Sequence, residues 1–195
     1  MNQVLPVDRF LHTLDIVAHE RKHLAYGWGR LYAYPIDADW VRELEAAPEI
    51  AERLEAFVSR SGRMQDTLAD KLLPRWLMAL AETPGSQIEN LNRAEKFGVL
   101  DNVEHWLEAR KFRTRLVHEY MQSPETFAKD LLLAKEYSRL LVDLYNHLRE
   151  YVMTRMGIGE GKLPRNIALP GQTWSETGER PNRGYEPLDI EFGSI

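Results

Sequence analysis

The chain has 195 residues, no cysteine and a formal net charge of −5, enough length for one domain with a real core and some chain left for a tail. Without cysteine there is no disulfide, thiol nucleophile or thiolate metal site, which leads us to expect a cytoplasmic protein. The acidic balance excludes a general nucleic-acid coat while leaving room for a local basic patch, and no apolar run approaches the ~20 residues of a membrane span.

The periodic segments read as helices in chain order. A first helix is expected from about Asp8 to Tyr34, stopped by Pro35. A short one starts near Asp39, and Pro48 opens a long helix to roughly Glu82, bent at Pro74. Two capping boxes follow: Ser86 with Glu89 starts a helix to about Phe97, and Asp101 with Glu104 starts the next. Ser123-Pro124 opens the last helix, whose Phe127, Leu131, Ala134, Leu141, Leu148 and Val152 share a face before Gly157 ends it. The expected fold is an all-α, up-and-down helical bundle over 1–157. Residues 158–195 read as a Gly/Pro-rich tail, disordered or draped on a partner or neighbouring subunit. Trp174, Tyr185 and Phe192 give that tail docking groups, and LDIEF (188–192) has a weakly strand-like pattern.

The first helix contains HERKH, residues 19–23, which fits the His-Glu-x-x-His zinc pattern. At about 100° per residue, His12, His19, His23 and Arg30 fall opposite the stripe of Leu14, Val17, Leu24 and Trp28. A catalytic zinc needs a sheltered cleft and a third ligand, so a solvated or partner-facing histidine ridge is expected and no metal site. Arg21 falls within the apolar stripe and needs a carboxylate or a polar pocket. Gly27 and Gly29 flank Trp28, as either a tolerated kink or a close helix approach.

Residues 113–120 read RTRLVHEY. On the helix wheel Trp106, Ala109, Phe112, Leu116, Val117 and Tyr120 form a broad apolar face with Arg113 in its middle. A cation there needs an anion or a polar cleft, and pairing of two copies around one groove is the simplest way to supply one. Arg110, Lys111, Arg113 and Arg115 place four cations within six residues. A solvated basic patch and a phosphate-binding surface are both open readings.

RTRLVHEY resembles the Arg-x4-His-x-Tyr signature of the HEPN superfamily, and of its HepT-like ribonuclease toxins in bacterial toxin–antitoxin systems. The likeness covers about residues 10–155 and is strongest from 86 to 150, in helix order and in the Ser-Pro start of the final helix. Thr114 stands where the family commonly has a polar amide, and the tail after Gly157 is not part of the usual domain. The resemblance implies a metal-independent endoribonuclease without cofactor, in which the 2′-hydroxyl attacks its own phosphate. His118 would move the proton, Arg113 would stabilise the phosphorane charge, and Arg110, Lys111, Thr114 and Arg115 would hold RNA phosphates. A homodimer would bring two histidines to one composite site. Tyr120 would accept AMP from a cognate nucleotidyltransferase antitoxin, the anionic adduct blocking RNA. The alternatives are a non-catalytic nucleotide- or transferase-binding partner and a plain helical scaffold in which Tyr120 only packs.

Overall fold

The computed structural model describes residues 5–118 and 123–171. It is an all-α bundle of seven helices with no strand among the described residues: α1 Pro6–Leu31, α2 Ala38–Arg42, α3 Pro48–Thr67, α4 Leu73–Ala79, α5 Gln87–Lys96, α6 Val103–His118 and α7 Pro124–Arg155. Trp174, Tyr185, Phe192 and the LDIEF segment lie outside the described residues.

Helix α1 starts earlier than the pattern indicates because Pro6 takes a position whose N–H would be unpaired anyway. It ends before Pro35 because the residue preceding a proline is pushed out of helical geometry, and Tyr32 N–H closes the last turn on Trp28 O. The predicted long helix is two helices joined by a π-helical turn, Leu68–Leu72. Pro74 has no N–H and its ring would strike the carbonyl one turn back; the widened turn, with Leu73 N–H on Leu68 O, absorbs the misfit. Ser86 and Glu89 do form a reciprocal capping box on α5. Helix α6 differs from expectation: Asn102, not Asp101, is its cap, its Oδ1 accepting His105 N–H at 3.0 Å. Asp101 is turned to the bundle, its carboxylate 4.0 Å from His147 Nδ1 of α7.

Helices α1, α3, α4 and α7 enclose the core, with Trp76, Trp106, Tyr145, Phe10 and Phe57 its largest fully buried side chains. The six residues assigned to one face of α7 are all buried. Trp76, Phe97 and Tyr151 meet edge-to-face at 5.3–5.9 Å, a favoured aromatic arrangement. Gly27 marks a close helix approach, since a Cβ there would lie 3.1 Å from Arg60 Nη1 and 3.8 Å from Phe57 Cα of α3.

The first part of the tail packs on this chain's own bundle. Residues 158–171 form a strap that buries Leu163, Ile167 and Leu169. Asn146 of α7 grips it by a reciprocal pair, Nδ2 donating to Ile167 O at 2.7 Å and Oδ1 accepting Ile167 N–H at 2.9 Å. Arg149 donates to Pro164 O at 2.7 Å and pairs with Glu160 at 3.1 Å. Arg21 finds its polar pocket here: Nη2 donates to Ala168 O at 3.2 Å, and burial lowers its pKa.

Candidate functional site

Helix α6 packs its apolar stripe, Val103, Trp106, Ala109, Phe112 and Leu116, against α3, α5 and α7. Arg113 sits in that stripe, and its charge is met from within the same chain. Nη1 donates to Asp66 Oδ1 at 2.9 Å and to Gly62 O at 3.0 Å, both on α3. Gly62 makes the approach possible, because a Cβ there would lie 2.6 Å from Arg113 Nε and 2.7 Å from Cζ. The Arg113 side chain remains 37% exposed and that of Asp66 45%. Nε and Nη2 of Arg113 have no partner among the described residues.

A second polar chain runs beside the first. Arg110 donates to Gln87 Oε1 at the start of α5, and Gln87 Nε2 donates to Asp70 in the π-helical turn. Lys111 is exposed. The structure therefore links Arg110 to Asp70 through Gln87 and pairs Arg113 with Asp66 directly. Thr114, Arg115 and His118 follow along the α6 backbone, which ends at His118, and Tyr120 lies outside the described residues.

Arg113 borders a shallow apolar groove between α3, α6 and α7, lined by Phe57, Ser61, Gly62, Phe112 and Tyr137 among others. Phe112 and Tyr137 meet edge-to-face at 5.4 Å, and Ser61 Oγ is buried without a hydrogen-bond partner among the described residues. The groove volume of about 40 Å³ admits little more than water. It cannot enclose a nucleotide, so a phosphate at Arg113 would lie on the surface of this chain or against a second copy.

Asp66 and Gly62 were not singled out by sequence reasoning. The available signal was a glycine in mid-helix, four residues before an aspartate and so on the same face of α3. The HERKH motif diverges in space. His19 and His23 are exposed, with His19 Nδ1 2.9 Å from Asp15 O. Glu20 turns toward α3 and accepts from Thr67 Oγ1 at 3.1 Å, and its partial burial raises its carboxyl pKa. Among the described residues no group of three or more His, Asp and Glu is placed to hold a metal ion. No described helix is long and apolar enough to cross a membrane.

Comparison with protein-family models, curated proteins and solved structures finds no match to this chain.

Proposed function

We propose that the chain is a metal-independent, HEPN-type endoribonuclease, a cytoplasmic toxin acting as a homodimer and held in check by a nucleotidyltransferase that adenylylates Tyr120. The observation that carries this reading is the state of Arg113. One nitrogen is fixed by Asp66 and Gly62 O at 2.9 and 3.0 Å, while Nε and Nη2 stay unengaged among the described residues. A guanidinium anchored at one corner with donors left over is pre-organised to meet a developing phosphorane charge. His118, five residues on, takes the 2′-hydroxyl proton as the 2′-oxygen bonds to phosphorus. The P–O5′ bond breaks, the leaving oxygen is protonated by the second histidine of the dimer, and a 2′,3′-cyclic phosphate remains.

A second reading has its own support. Asp66 offsets the Arg113 charge, which favours a non-catalytic partner that binds a nucleotide or the transferase. Incubation of a total RNA pool with the purified protein in excess EDTA, beside His118→Ala, decides between them. Cleavage by wild type alone, with cyclic-phosphate ends, is expected. No cleavage by either, from protein shown by mass to carry no AMP, would leave the binding partner as the better account.

A further inference from the structure

A second polar site lies on the opposite flank of α3 from Arg113. The last turns of α1 and the first two thirds of α3 border an open cleft of about 430 Å³, lined by Tyr26, Arg30, Glu49, Glu52, Arg53 and Arg60. That volume is about ten times that of the groove at Arg113 and falls within the ~300–1,000 Å³ usual for small-ligand clefts. Three guanidinium groups and two carboxylates line it, a locally positive balance in a protein of net charge −5.

Their partners are the telling feature. Among the described residues Arg60 donates only to a backbone carbonyl, His23 O at 3.4 Å. Arg30 donates to Tyr26 Oη at 3.0 Å with its Cζ 5.5 Å from the ring centroid. Arg53 has no hydrogen-bond partner among the described residues. None of the three is ion-paired among the described residues, although Glu49 and Glu52 line the same cleft. Exposed arginine–carboxylate pairs are worth only about 0–1 kcal/mol, so these guanidinium groups stay available to an anionic ligand entering the open volume.

We propose that this cleft binds a nucleotide unit, with phosphate on Arg53 and Arg60 and the base on the Tyr26–Arg30 pair. Arginine forks match phosphate oxygens, and tyrosine rings and guanidinium planes are the surfaces on which unpaired bases stack. Glu49 and Glu52 supply what a phosphate-only site would lack, acceptors for ribose hydroxyls or an exocyclic amine. The unit belongs either to an RNA strand crossing α3 toward Arg113 or to a free nucleotide. Only the RNA source rests on the ribonuclease reading above.

The test uses the full chain carrying His118→Ala, so that bound RNA stays intact. A fluorescein-labelled oligoadenylate is titrated by anisotropy over a range of salt, and AMP by calorimetry in parallel. Arg53→Gln is expected to weaken oligoadenylate about tenfold and to lower the salt slope by about one. Tyr26→Ala is expected to weaken it about tenfold with the slope unchanged. Arg30→Gln serves as a second, independent charge variant, and unchanged melting shows that each variant is folded. Oligoadenylate binding that Arg113→Ala abolishes but Arg53→Gln, Arg30→Gln and Tyr26→Ala leave intact would overturn the cleft and keep the ribonuclease reading. AMP binding lost in Arg53→Gln, with no oligoadenylate bound by any protein, would keep the cleft as a free-nucleotide site and count against that reading. Binding of neither ligand overturns the cleft.

Discussion

A hydrogen in place of a methyl group at position 62 is what lets the Arg113 side chain lie flat on α3, and this separates its role in positioning from its role in stability. Gly62→Ala puts a Cβ 2.6 Å from Arg113 Nε, so the guanidinium must leave Asp66 and Gly62 O. Both paired side chains are more than a third exposed, and solvent screening limits such a pair to roughly 0–1 kcal/mol. Alanine in a helix interior recovers about 0.5–1 kcal/mol over glycine. The variant is therefore expected to melt within a few degrees of wild type while its RNA cleavage in EDTA falls as far as that of Arg113→Ala. Wild-type cleavage by Gly62→Ala would show that the seat on α3 has no part in catalysis. The need of Arg113 for an anion was legible in the sequence, since a helix wheel locates a cation in an apolar stripe. The identity of the anion was not. Asp66 lies 47 residues away, and nothing in a periodic pattern reports which faces of two distant helices meet.

Elements whose signals are local came through with small shifts at their ends. The Ser86–Glu89 box, the apolar face of α7 and its glycine stop at Gly157, with φ +66, depend only on residues within a turn of one another. The cap of α6 moved from Asp101 to Asn102 because two adjacent side chains both suit a cap, and the approach of His147 to Asp101 is a tertiary contact. The strap has no period, so its docking was invisible from its own residues. The legible trace lay in α7, where the polar run Asn146, His147 and Arg149 is buried beside Leu144, Tyr145 and Leu148. Asn146 is 0% exposed and satisfies both polar groups of Ile167. Asn146→Ala leaves a buried N–H and C=O unmade, at ~1–3 kcal/mol for each group. Chemical denaturation should show a loss of roughly 2–4 kcal/mol, with faster amide exchange at Ile167. A loss under about 1 kcal/mol would mean that water replaces the asparagine without penalty.

For the molecule as a whole, the strap moves the end of the folded unit past Gly157, where helical periodicity stops, to about Leu169. The same segment ties α7 to α1: Arg149 holds Glu160 and Pro164 O, Arg21 holds Ala168 O, and a methyl group at Gly29 would meet Pro170 Cγ at 3.5 Å. A chain ending at Gly157 loses three buried apolar side chains, at ~1.5–3 kcal/mol each. It also escapes the cost of ordering the strap, which offsets part of that loss. A net loss of a few kcal/mol is a large share of the ~5–15 kcal/mol that holds a domain together. At ~2–4 °C per kcal/mol for a chain of this size, melting should fall by about 5–15 °C. The uncovered surface where Leu163, Ile167 and Leu169 pack should bind a hydrophobic dye that the full chain does not. An unchanged melting temperature without dye binding would put the boundary back at Gly157. Because the strap also braces α1 beside Arg30 and Tyr26, the truncated chain should lose nucleotide affinity at that cleft along with its stability, whereas Asn146→Ala, with the strap loosened but present, should lose less of both.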